Sequence, residues 1–301
     1  MEQLDYTPED SENLEENSDI FEMSAFPEAY QDIVGRHNEE FRAILEQTLP
    51  AELIDGAISR ITFERDDPTE VNRAYGVSAV AVCETGGVIK IFEGFFEKTY
   101  AEQQYILAHE TGHALTQIIF SGAKTYEELS RLNASSDSAG ETLYVQHMAE
   151  MVQRGKLDQR ALFHEQTAER MAAYILGGGD FANMLEIQAI YLREPGELFR
   201  GIPEDILKDK DALRNFLNNN ETDNKLLEMT REYHRLINGA VRQTEQTSGE
   251  VVDWHFRAVD DSTLGESPFL SAHSKHHEEA PLQTKSLWSF LLEFLLQTKQ
   301  P

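Results

Sequence analysis

The run His109-Glu110-Thr111-Gly112-His113 sits inside a proline-free stretch from Tyr100 to Phe120. On a helix, this HExxH spacing puts two imidazoles on one face, four residues apart, where both reach a single Zn²⁺. Glu110 points about 100° away around the helix, placed to deprotonate water rather than to ligate. The helix is signalled independently. Thr99-Tyr100-Ala101-Glu102 reads as a capping box, with hydroxyl and carboxylate each satisfying the other residue's amide. Tyr105, Ala108, Leu115, Ile118 and Ile119 supply an apolar face. Gly112 costs about 1 kcal/mol of helix propensity relative to alanine, which points to a neighbouring element packed close against it.

A catalytic zinc takes three protein ligands and keeps one position open. The chain continues Ala114-Leu115-Thr116-Gln117-Ile118-Ile119-Phe120, which excludes the HExxHxxGxxH arrangement. The remaining common donor set is two histidines and a glutamate on a later helix. Glu165 is the leading candidate. It opens a helical segment reaching Leu176 and stopped by Gly177-Gly178-Gly179, with Ala168, Ala172 and Ala173 forming a small-residue face. Glu169, one turn on, is placed to support a histidine from behind. Glu141 and Glu150, on an expected helix 139–153, are rival third ligands.

HExxH followed by Glu-x-x-Ala on a downstream helix resembles the gluzincin group of zinc metallopeptidases. The pattern Glu165-Gln166-Thr167-Ala168…Ala172-Ala173…Leu176 is similar to the ExxA helix of ImmA/IrrE-type peptidases. It is also close to the ExxAD of membrane-associated gluzincins and the ExxxD of thermolysin-like enzymes. The resemblance covers roughly residues 60–180. It implies an α+β, zincin-like fold, with a small, mostly antiparallel sheet packed on the HExxH helix and a mainly helical C-terminal part. It further implies Zn²⁺ held by His109, His113 and Glu165, with Glu110 as general base in the hydrolysis of a protein or peptide substrate. The chain departs from these families at position 169, where they tend to carry Asp or Asn and this sequence has Glu. Zincins bind extended substrate along a strand just upstream of the HExxH helix, and residues 88–95 are the candidate here. A Tyr or His beyond the ligand helix often stabilises the oxyanion, which makes Tyr233, His234, Tyr174 and Tyr144 candidates. The competing expectation is a regulatory or adaptor protein that keeps this fold and acts through protein binding. The intact Glu110 argues against it, because a purely structural site needs no base.

The 301 residues carry 54 acidic against 26 basic side chains, a formal charge of −28. Such acidity argues against nucleic acid and anionic membrane surfaces as partners. Cys83 is the only cysteine, so no intramolecular disulfide forms; within Val80-Ala81-Val82-Cys83 it reads as a small buried hydrophobe. Neither a signal peptide nor an apolar run of about 18–20 residues is present. The expectation is a cytoplasmic protein without an integral membrane span, or one secreted by a signal-independent route.

Residues 1–25 are acidic and hold no lysine or arginine, an expected disordered tail with Ile20, Phe21, Met23 and Phe26 as docking points. A catalytic domain is expected over 26–180, a helical subdomain over 181–258 and a C-terminal tail over 259–301. Helices are expected at about 27–49, 51–59, 181–193, 203–218 and 221–244, and strands at 61–64, 77–83, 88–92 and 251–256. Glu84-Thr85-Gly86-Gly87 reads as a hairpin turn. The tail contains a histidine cluster, His273, His276 and His277, able to bind metal adventitiously. Residues 287–296 form an apolar run suited to docking on a partner.

Overall fold

The structure is a computed structural model that describes residues 19–65, 79–84, 86–119, 143–155, 159–191, 195–219, 222–247 and 269–271. Two helices open it, α1 (Glu28–Thr48) and α2 (Ala51–Ala57), each entered through a proline, Pro27 and Pro50. Proline has no N–H to leave orphaned and its fixed φ suits a helix start. The strands β1 (Arg60–Phe63), β2 (Ala81–Glu84) and β3 (Val88–Ile91) follow. They form a sheet of order β1-β3-β2-β4, closed by the three-residue β4 (Phe269–Ser271).

The turn between β2 and β3 is a hairpin, as its glycines require. Gly86 and Gly87 have φ of +83° and +75°, which favours glycine at both. Gly87 is doubly constrained, since a Cβ there would stand 1.8 Å from the Ala57 carbonyl oxygen. β2 and β3 are antiparallel and so are β2 and β4, whereas β1 joins β3 in parallel. Beyond β1, Phe21 bridges Ile61, with the Glu22 amide donating to the Ile61 carbonyl (2.8 Å) and the Ile61 amide to the Ile20 carbonyl (2.7 Å). Ile20, Phe21 and Phe26 are buried. The acidic head therefore docks through residues the sequence picked out, and its segment from Asp19 onward is packed on the sheet.

One expectation about the sheet is corrected. Residues 88–95 were the candidate substrate strand, but β3 is flanked by β1 on one side and β2 on the other. Both of its edges are engaged, and after Ile91 the chain turns into a short 3₁₀ segment, Glu93–Phe95. The strand beside the HExxH helix is β2.

The helices α3 (Tyr100–Ile119), α4 (Leu143–Gln153), α5 (Gln159–Leu176), α6 (Phe181–Tyr191), α7 (Pro195–Leu198), α8 (Lys210–Asn219) and α9 (Lys225–Thr247) complete the described chain. The capping box at the start of α3 is formed. The Thr99 amide donates to Glu102 Oε2 at 2.8 Å, and the Glu102 amide points back to Thr99 Oγ1 at 3.4 Å. α5 ends where Gly178 and Gly179 take φ of +64° and +71°, their amides donating to the Ile175 and Tyr174 carbonyls at 3.0 Å. α3 packs on β2 on one side and along α5 on the other. The core runs through Phe41 and Leu45 of α1, Ile61, Ile89 and Ile91 of the sheet, and Leu107 and Leu115 of α3, all fully buried. The result is a mixed α+β fold, mostly helical, around one small sheet. No described helix is long and apolar enough to cross a membrane. Residues 251–256, 273–277 and 287–296 lie outside the described residues.

Candidate metal centre

α3 runs between β2 and α5, so the whole HExxH run is buried: His109, Glu110, Thr111 and His113 are each at most 1% exposed. Close approach of α5 is made possible by Gly112. A Cβ at that position would meet the Ala168 carbonyl oxygen at 2.8 Å and the Ala168 Cα at 2.9 Å. The glycine and the alanine face of α5 are thus two halves of one contact, which brings Glu165 to the histidines. Gly112→Ala is expected to lower stability. Overpacking against immovable backbone costs about 1–3 kcal/mol, which outweighs the roughly 1 kcal/mol gained in helix propensity. Thermal denaturation checks it; a melting temperature at or above that of wild type would contradict the close packing.

His109 Nε2 and His113 Nε2 are 3.1 Å apart, and Glu165 Oε2 lies 3.3 Å from the first and 3.5 Å from the second. Two explanations compete for this triangle. Charge-assisted N–H···O⁻ bonds between histidine and carboxylate would draw the atoms to about 2.7–2.9 Å. Three donors held about 2.0–2.1 Å from a tetrahedral ion would instead stand about 3.3 Å from one another. The observed edges straddle the second value. Burying two imidazoles and a carboxylate without an ion between them is also costly. The group His109, His113 and Glu165 can hold a metal ion.

The electrostatics agree with this donor set. Burial alone would push the Glu165 carboxyl up, but the His113 charge and contacts with both imidazoles outweigh it and bring it down to about 2. Glu165 is therefore held as an ionised acceptor, well below the usual carboxylate range. Behind His109, Glu169 Oε1 stands 3.9 Å from Nδ1, too far for a hydrogen bond, while Oε2 accepts the Tyr105 hydroxyl. Burial, with the Glu165 charge added, raises the Glu169 carboxyl against the pull of His109 and Tyr105. Tyr105 was read from the sequence only as part of an apolar face. Its position four residues before His109 puts it on the ligand face, and that spacing was the available signal.

The Glu110 charge acts on Cys83 of β2, whose thiol is pushed well up, chiefly by burial and then by Glu110 and Glu84. Cys83 is thus a buried, protonated thiol, as its apolar run suggests.

Of the two rival ligands, the one among the described residues stays outside the group. Glu150 is exposed and paired with Arg154 at 3.0 Å; Glu141 lies outside the described residues, as does the Tyr144 side chain. The other oxyanion candidates sit behind α5. Tyr233 meets Thr167 Oγ1 at 3.1 Å, with the Arg170 guanidinium 4.9 Å from its ring centroid. Thr167 is about 200° around α5 from Glu165. His234 stacks on Phe181 with centroids 4.9 Å apart and leans on Tyr174, itself about 180° from Glu165. Tyr174 and Tyr233 belong to the core, and His234 is half-buried beside them. No protein-family model matches the chain, and neither a curated protein nor a solved structure matches it.

Proposed function

We propose that this protein is a zinc-dependent metallopeptidase of zincin-like design, with His109, His113 and Glu165 as the zinc ligands and Glu110 as the general base. The observation that carries the reading is the buried triangle of two Nε2 atoms and one carboxylate oxygen with edges of 3.1–3.5 Å, beside a second buried carboxylate that belongs to HExxH. The donor set of two imidazoles and one carboxylate suits zinc and leaves a fourth position open, the arrangement of hydrolytic rather than structural sites. A zinc ion there supplies Lewis-acid polarisation of a carbonyl and acidifies water at neutral pH.

The protein's own residues do the rest. Glu110 accepts the proton of the attacking water on its carboxylate and returns it to the departing amine nitrogen. It is held for this by α3, one residue from His109. His109 and His113 present Nε2 inward and stay fixed because α3 is buried along this length. Glu165 stays ionised and so keeps the donor set complete.

The test is hydrolysis of an unfolded protein or a mixed peptide library by the full chain, followed by mass spectrometry. Expected is cleavage at internal peptide bonds, abolished by a chelator and restored by Zn²⁺. Cleavage insensitive to chelation, or none with zinc bound, would overturn the reading.

A further inference from the structure

Behind the metal group, α3 and α5 make a second set of contacts. Tyr105 stands on α3 four residues before His109, one turn back along the same face, and is buried. Its hydroxyl donates to Oε2 of Glu169 on α5, and its ring centroid lies 6.4 Å from that of His109. The other oxygen of that carboxylate, Oε1, is 3.9 Å from His109 Nδ1, close enough for attraction and longer than a hydrogen bond. His109 Nδ1 is itself buried, with no hydrogen-bond partner among the described residues. An imidazole whose Nε2 faces a metal carries its proton on Nδ1, and that N–H is almost always given to a carboxylate, a carbonyl or water. Glu169 Oε1 is the carboxylate oxygen beside it.

We propose that Tyr105 is a positioning residue of the metal centre: its hydroxyl anchors Oε2 of Glu169, which keeps Oε1 turned to His109 Nδ1 and so holds the His109 ring with Nε2 toward His113 and Glu165. The inference rests on the metal-binding part of the reading above and not on peptide hydrolysis. A glutamate arm is long and rich in rotamers, and 15% of this side chain is open to solvent. Without an anchor, water competes with His109 for its carboxylate. Tyr105 removes that freedom from the histidine's own helix, so anchor and ligand stay in register. The close packing of α3 on α5 at Gly112 fixes the gap that the anchored carboxylate spans. Position 169 thereby gains a reason to be glutamate. Its carboxylate serves two partners, Tyr105 and His109, and an arm one methylene shorter reaches less far.

The test is the zinc affinity of the full chain, read by competition with a chromophoric chelator, in wild type, Tyr105→Phe, Glu169→Ala and the double variant. Tyr105→Phe removes the hydroxyl and keeps the ring. Expected is binding about 10–100-fold weaker at unchanged stoichiometry, the usual loss when a group behind a metal ligand is removed. Because Tyr105 acts through Glu169, the same substitution in the Glu169→Ala background is expected to cost nothing further. A general loss of packing would instead weaken both backgrounds alike. Tyr105→Phe binding zinc as tightly as wild type, or losing the same factor in both backgrounds, would overturn the proposal. If Tyr105→Phe does not fold, Glu169→Asp carries the test. It keeps the charge and shortens the arm, and is expected to bind zinc several-fold more weakly; affinity equal to or above that of wild type would overturn the proposal. Failure of the underlying reading looks different. Wild type that takes up no zinc removes the metal centre and this role with it, whereas tight wild-type binding beside an indifferent Tyr105→Phe removes the role alone.

Discussion

Glu110→Gln is expected to lower peptide hydrolysis by about 10²–10⁴-fold, the usual contribution of a positioned general base, while leaving metal content at the wild-type level. The substitution keeps the size and shape of the side chain and removes only its ability to take a proton. Glu110 is fully buried and is not a member of the His109, His113, Glu165 group, so the donor set is untouched. Its charge reaches Cys83 on β2. Elemental analysis on the same preparations makes the comparison decisive. Full activity in Glu110→Gln would remove the residue from the chemistry, whereas joint loss of metal and activity would make it structural.

Removing the metal is expected to lower the melting temperature by about 8–16 °C. A ligand present at about 1,000 times its dissociation constant stabilises the folded state by about 4 kcal/mol, and large domains shift by about 2–4 °C per kcal/mol. The physical source is local. Without an ion, a carboxylate and two imidazoles stay buried together, their Nε2 atoms 3.1 Å apart, and desolvating that group is costly. Differential scanning calorimetry before and after chelation, then with Zn²⁺ restored, measures it. A melting temperature indifferent to chelation would mean that no metal was bound.

The parts of this protein that could be read from sequence are those fixed by neighbours in the chain. The capping box at Thr99–Glu102, the glycine stop after Leu176 and the Glu84–Gly87 hairpin are each decided within a few residues. Gly112 and Ala168 were legible as a pair because a glycine in a helix and a small-residue face on a later one explain each other. Long-range pairings were not legible. The parallel β1–β3 contact, the Phe21–Ile61 bridge and β4 involve strands of four residues or fewer, too short to carry a hydrophobic period. That is why β3 looked like an edge strand when it is an inner one. The places of the oxyanion candidates Tyr174, Tyr233 and His234 were not legible for a related reason. α5 is buried on both sides, and periodicity does not say which buried face meets the metal group and which meets α9.

The most direct test of the account is zinc stoichiometry by elemental analysis on the full chain, purified without a histidine tag, in wild type and Glu165→Ala. About one zinc per wild-type chain is expected, with loss or marked weakening of binding in Glu165→Ala. Wild-type protein that takes up no zinc when it is supplied, or a Glu165→Ala variant that binds it as tightly as wild type, would contradict the metal centre described here.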